Sequence, residues 1–430
     1  MTAGQATPMD ETAVVTVFLR HDCDVLLLRR SEAVGSYSGR WGAVAGHAEG
    51  DADAAARQEI REETGIDPDE STTLVRRGDP FDVEDADLDT RWVVHPYLFD
   101  CETREVRPNE ETTTAEWAPP TAILRRETVP DLWTSYDRVR PGVEAVASDR
   151  EHGSAYLSLR ALEVLRDEAA LAVTRHGDAR DWQSLLGIAR DLATARESMP
   201  VVRTRVDRAA TAAIEGGETP ERLEAAADAG LERALAADRR AASIAADRLE
   251  GARIVTLSRS GTVRQAIVAA EPAAVLVAES RPGGEGIGVA EDLADRLDCA
   301  VWLTTDAALA HRFVSWNADA LVVGADAILG DGRVVNKVGT RGAAIAAAHD
   351  GTTVAVVAAS DKITPAVDPD LEERDRTELT DDESVVVANP TFDLTPGSLV
   401  DVVVTERGVL GEDGVVAVAD EHRDLATWRR

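Results

Sequence analysis

LVVGADAILGDGRVVNKVGT, residues 321–340, decides how the rest of the chain is read. Leu321, Val322 and Val323 form a short apolar run, and Gly324-Ala325-Asp326 follows. A run of that length and composition, bounded by glycine, reads as a strand buried on both faces in a parallel sheet. Such a strand delivers Asp326 at its carboxyl end, the edge at which open α/β sheets bind ligands. Gly330-Asp331-Gly332 is a turn, because glycine supplies the positive φ that tight turns require. Asn336-Lys337-Val338-Gly339-Thr340 then reads as the opening of a helix over residues 342–349. A lysine and free backbone amides at a helix start suit an anion such as phosphate.

The chain holds only two lysines, Lys337 and Lys362; every other basic residue is arginine or histidine. Chance survival is the bland explanation. The sharper one is that both ammonium groups meet a ligand, since a compact point charge does not exchange freely with a planar guanidinium.

The 430 residues exceed one ordinary core, so two or three domains are expected. With 79 acidic and 46 basic residues the formal charge is -33, which repels phosphate backbones and argues against nucleic-acid binding. Acid excess, arginine in place of lysine and abundant alanine suggest a salt-adapted cytoplasm, where surface repulsion is screened within about 3 Å at molar salt. A hydrophobic content of 44% argues against a disordered acidic chain. Cys23, Cys101 and Cys299 lie far apart, follow no metal-binding spacing and read as reduced thiols. No apolar run approaches the roughly 20 residues of a membrane span, and no signal peptide is evident, so a soluble, cytoplasmic protein is expected.

Working outward from residue 321, residues 252–257 form a first strand, ending in Ser258-Arg259-Ser260-Gly261-Thr262 before a helix. That loop offers hydroxyls and amides to an anion at Ser260, Gly261 and Thr262; an ordinary helix cap is the plainer reading. Further strands over 273–278, 300–303, 353–358 and 400–405 end in polar residues, among them Arg281 and Lys362. Repetition of this kind is what a ligand cleft in a doubly wound sheet requires. Residues 251–430 are therefore expected to form a Rossmann-like α/β ligand-binding domain. Residues 149–250 read as a helical subdomain, with helices near 181–194, 201–214 and 220–250. Its alanine-rich helices suit close packing in a homo-oligomer, a dimer or larger.

TLSRSGTV, VAESRP, TTDAA, VGADAILGDGRVVNKVGT, SDK, NPTFDLTP and VTERG occur in that order. Together they resemble the translation initiation factor 2B α/β/δ-type regulatory subunits. The same fold houses ribose-1,5-bisphosphate isomerase and methylthioribose-1-phosphate isomerase. The resemblance covers about residues 152 to 425. It implies a phosphorylated ribose or nucleotide ligand, held by Ser260, Arg281, Asn336, Lys337 and Lys362. As a regulatory subunit the protein would contact initiation factor 2. In the isomerases the aspartate at the Asp326 position pairs with a cysteine, and here Ser258 occupies the cysteine position. Its hydroxyl is a far weaker acid than a thiol. His152 stands where the isomerases tend to have an arginine. An isomerase reading assigns the chemistry to Asp326 and Ser258.

Toward the amino terminus, residues 1–10 are polar and expected to fray, and residues 11–148 form a separate α/β domain. Residues 135–153, with Pro141 and glycines, read as the linker. A helix over 52–64 stops at Gly65 and carries Glu59, Glu62 and Glu63 at i, i+3 and i+4. Three carboxylates on one face repel one another unless a hard cation sits among them; a solvated acidic face is the plainer reading. LLLRR, RWGAVAGHAEG and AARQEIREETGI resemble the Nudix hydrolases, whose signature is G-x5-E-x7-R-E-U-x-E-E-x-G-U with U aliphatic. The resemblance implies a sandwich of helices around a mixed sheet. In it Glu59, Glu62 and Glu63 bind Mg²⁺ or Mn²⁺, and Glu62 and Glu63 serve hydrolysis of a nucleoside diphosphate compound. Gln58 replaces the signature arginine, with Arg57 beside it, and the upstream glutamate falls at Asp51 or Glu49. A sensor that binds nucleotides without cleaving them is the alternative.

Overall fold

Successive residues of a strand face opposite sides of a sheet, so a strand that is apolar throughout must be covered twice. Ile254 and Val255, Val275 and Leu276, and Leu321 and Val322 are such pairs, and all are fully or almost fully buried. In a computed structural model, which describes residues 10–48, 50–174 and 181–429, each pair sends one side chain to each of two apolar clusters. The chain divides into two units. The first runs to Pro141 and takes in the end of a long helix from Asp167. The second holds Gly142–Arg166 and the remainder. The stretch read as a linker is folded, with short helices at Leu132–Asp137 and Val143–Ser148.

The first unit is an eight-stranded mixed sheet. Asp10–His21 and Thr90–Cys101 run parallel at its centre, and the other pairings are antiparallel. Val15, Val17 and Leu19 face Ala56 and Ile60 of the Ala52–Thr64 helix. Phe18 and Leu98 face Leu132, Trp133 and Tyr136 on the other side, with Phe18 edge-on to Tyr136 at 5.2 Å. The result is an α/β/α sandwich, as expected. The Asp51 carboxylate caps the Ala52–Thr64 helix through the Asp53 amide, and Gly65 ends it at φ 68°. Residues 1–9 and Glu49, on which two expectations fell, lie outside the described residues.

After the Val143–Ser148 helix, the second unit holds the Ser154–Thr174 helix as far as Arg166 and then the helices Trp182–Thr194, Pro200–Glu215 and Pro220–Leu249. Its sheet orders the strands Ala300–Thr304, Ala274–Ala278, Arg253–Thr256, Ala320–Val323, Thr353–Val357, Val402–Thr405 and Gly408–Leu410. The first six are parallel and the last is antiparallel. The chain order reverses between Arg253–Thr256 and Ala320–Val323, which opens a crevice at their carboxyl ends. A smaller four-stranded sheet, not expected from the sequence, joins Ile363–Thr364, Ala327–Leu329, Val334–Lys337 and Phe392–Thr395. It corrects the reading of NKVGT. Asn336 and Lys337 end a strand of the hairpin that turns at Gly332 (φ 83°), and the helix starts at Thr340. Among the described residues no helix is long and apolar enough to cross a membrane. Cys23 and Cys101 are buried, Cys299 is half-buried, and all three are free thiols.

Candidate functional site

The loop after strand Arg253–Thr256 and the Gly324-Ala325-Asp326 turn after Ala320–Val323 meet at the crevice. They are close because Gly324 has no side chain: a methyl group there would fall 2.8 Å from the Ser260 hydroxyl. The cavity they bound measures about 640 Å³. Ser258, Ser260, Gly261, Thr262, Asp326, Asn336, Lys337 and Lys362 all line it, so eight of the nine residues read from the sequence come together. Arg281 does not. Its side chain is 63% exposed and pairs with Glu279 at 3.3 Å, while its amide is tied to Asp306.

Each group is held differently. Ser258 sits in the left-handed region at φ 65°, an unusual place for a side chain, and its amide donates to the Ser280 hydroxyl at 2.6 Å. Asp326 accepts from the Ser154 hydroxyl at 2.8 Å. Burial raises its carboxyl above the usual range, against the pull of Lys362 and Ser154. The buried Lys362 ammonium donates to the Ala325 carbonyl at 2.6 Å, and burial lowers its pKa against the pull of Asp326. The Lys337 ammonium is not free, which corrects the simplest reading of that lysine. It pairs with Glu285 at 2.7 Å and is 3% exposed. Asn336 donates to the Thr340 hydroxyl at 3.0 Å and so steadies the helix start.

Sequence reasoning missed Ser154, Glu285, Arg196 and Arg374. Arg196, 4% exposed, lines the cavity and pairs with Glu372 at 2.7 Å; Arg374 pairs with Glu378 at 2.8 Å. Both lie outside regular strands and helices, where no periodic pattern marks them. His152 also lines the cavity, stacked on Tyr156 at 4.1 Å and 2.8 Å from the Asp149 carboxylate. Six lining residues are basic and seven acidic, near balance in a chain with 79 acids and 46 bases. The cavity is therefore far less hostile to an anion than the protein at large.

In the first unit Glu59 lies against Gly46, where any side chain would fall on its carboxylate. Glu63, 5% exposed, takes the Ala45 amide at 3.4 Å. Burial, with repulsion from Glu62 and Glu111, pushes Glu59 up to about 7, and burial with repulsion from Glu59 pushes Glu63 up to about 8. Glu62 is exposed at the rim and accepts from Gln58 at 2.8 Å. Arg57 turns away to Asp69 at 3.0 Å, and the Asp51 carboxylate is occupied as the helix cap. Among the described residues no three acidic, His or Cys side chains are arranged as a ready metal site. A buried and a half-buried carboxylate that both resist ionisation, with a third beside them, are nonetheless an oxygen-donor set that a hard divalent cation fits.

A doubly wound α/β unit with a switch-point cavity, preceded by a helix-and-sheet sandwich, defines the class of protein. The initiation factor 2 subunit family profile matches residues 150–412, and the NUDIX domain profile matches residues 9–139. The chain is 32% identical over 313 residues to ribose 1,5-bisphosphate isomerase of Haloferax volcanii, covering 66% of this chain and 94% of that one. It is 39% identical over 163 residues to methylthioribose-1-phosphate isomerase of Xylella fastidiosa, and that match spans 46% of the relative. The translation initiation factor eIF-2B structure from Pyrococcus horikoshii superposes with a TM-score of 0.53 at 26% identity, over 62% of this chain and 94% of that one. The chain belongs to the initiation factor 2 subunit family and carries an amino-terminal NUDIX domain.

Proposed function

We propose that the protein handles phosphorylated ribose compounds twice: hydrolysis of a nucleoside diphosphate compound in the first unit, and binding of a phosphorylated ribose or nucleotide in the second. The observation that carries this is the placement of both lysines of a 430-residue chain on one switch-point cavity. Glu285 holds Lys337 in place until a ligand phosphate competes for the ammonium. Ser260 and the Gly261 amide stand at the start of the Gly261–Ala269 helix, where an anion is favoured. The test is thermal stabilisation by ribose 5-phosphate and nucleoside monophosphates in molar KCl. Stabilisation is expected in the wild type and smaller in Lys337→Gln; equal shifts in both proteins count against the site.

In the first unit Glu59, Glu62 and Glu63 would hold Mg²⁺ or Mn²⁺. Such an ion neutralises a diphosphate and lowers the pKa of bound water. The glutamates' own part is to lose their protons and converge. Glu62 must leave Gln58 to join the others.

A second reading, aldose–ketose isomerisation of a sugar phosphate, is supported by Asp326. A buried carboxyl with a raised pKa, opposite Lys362 and sharing its cavity with Ser258, suits proton transfer between C1 and C2. Conversion of ribose 1,5-bisphosphate to the ketose, lost in Asp326→Asn, would assign it. Ligand binding with no turnover in either unit would instead favour a regulatory protein of translation that contacts initiation factor 2.

A further inference from the structure

A second cleft in the second unit has no part in the reading above. It measures about 200 Å³ and lies beyond the carboxyl ends of strands Thr353–Val357 and Val402–Thr405. Arg208, Arg233, Arg240 and Arg407 line it, against two acids, Asp361 and Glu406. Arg233, Ala236, Ala237 and Arg240 are spaced i, i+3, i+4 and i+7 on the Pro220–Leu249 helix and so present one face, with two alanines leaving room between the arginines.

The donors and acceptors do not balance. Asp361 is already shared by Arg205 at 3.2 Å and Arg208 at 2.7 Å, which hold its carboxyl below the usual range although burial alone would raise it. Glu406 accepts from both the amide and the hydroxyl of Ser360. Arg407 is spent on Glu421 and Ser360. The buried Nε of Arg208 has no acceptor. Arg233 and Arg240 make no hydrogen bond or ion pair among the described residues, although acids outnumber bases 79 to 46. Solvated surface arginines are common, but Arg233, Arg240 and the Nε of Arg208, lining a cleft whose carboxylates are already engaged, leave donors for an oxyanion.

We propose that this cleft is a second anion site, which takes the phosphate group of a small phosphorylated compound through Arg208, Arg233 and Arg240. The same three-residue turn serves both sites: Ser360 and Asp361 face the cleft, while Lys362 lines the switch-point cavity. The inference does not depend on what the larger cavity binds.

Calorimetric titration of the full-length protein with inorganic phosphate, at fixed KCl, tests it. The expected result is two phosphates per chain in the wild type and one in Arg233→Gln/Arg240→Gln. One is also expected in Lys337→Gln, and none when all three changes are combined. Either single arginine change should weaken the second site about tenfold. Both arginines are exposed, so these variants are expected to fold, and circular dichroism checks that they do. A single wild-type phosphate that the double variant loses supports this cleft and counts only against the larger cavity. Phosphate binding that is the same in the wild type and in Arg233→Gln/Arg240→Gln, or absent from both, overturns the proposal. So does an altered sedimentation coefficient of that double variant with unchanged phosphate binding, which would make the arginines an interface between protein chains.

Discussion

Glu63 concentrates the physics of the first unit. It is buried, accepts one long amide bond and shares its surroundings with Glu59. Between about pH 4.5, the ordinary glutamate value, and about 7 to 8, the folded unit binds more protons than the unfolded chain. Metal-free stability therefore falls as pH rises through that window. Melting curves from pH 5 to pH 9 should show the fall, and Glu63→Gln should flatten it. Because a cation requires ionised ligands, Mg²⁺ affinity should rise through the same window with release of protons, which titration in two buffers of different ionisation enthalpy detects. Gly46→Ala, which forces Glu59 aside, should abolish the Mg²⁺-dependent rise in Tm while leaving a folded protein. The glutamates and the two lysines stood out in the sequence as candidates by their type and spacing, and both lysines line one cavity. Glu285 was not. Nothing in its sequence context announces that its carboxylate lies 2.7 Å from Lys337, because that pairing depends on how two distant segments pack.

At the scale of elements, the Ala52–Thr64 helix was legible to the residue because its stop signal is local. Gly65 adopts the left-handed conformation that ends it, whatever the tertiary surroundings. Its start depends on Asp51, one of the two positions at which the signature's upstream glutamate falls, whose carboxylate caps the helix. Asp51→Ala should cost about 1 kcal/mol of stability, read by urea unfolding of the full-length protein. Hydrolysis should be affected only through that loss. The parallel strands were legible from composition, since short apolar runs covered on both faces leave little choice. The Val334–Lys337 strand was not, because its pairing with Phe392–Thr395 joins positions more than 50 residues apart. Asn336-Lys337 was read as the opening of a helix; the two residues do line the switch-point cavity, but they form a strand end, and the helix begins at Thr340. Leu276→Ala, in the apolar cluster on one face of the sheet, should cost about 2–5 kcal/mol and broaden no other feature of the unfolding curve.

At the scale of the molecule, a charge of -33 is spread over two units that each carry a locally different electrostatic site. Surface repulsion should make the fold depend on salt. Unfolding midpoints should climb steeply between dilute buffer and molar KCl, where screening acts within about 3 Å. The division of labour between the units is the larger question. It is decided most directly by measuring Mg²⁺-dependent turnover of a panel of nucleoside diphosphate compounds, in molar KCl, by the wild type, Glu62→Gln and Lys337→Gln. The expected result is hydrolysis of at least one compound by the wild type and by Lys337→Gln, and a loss of at least about a hundredfold in Glu62→Gln. Turnover that survives Glu62→Gln, or that disappears in Lys337→Gln, would contradict two separate phosphate-handling sites in one chain.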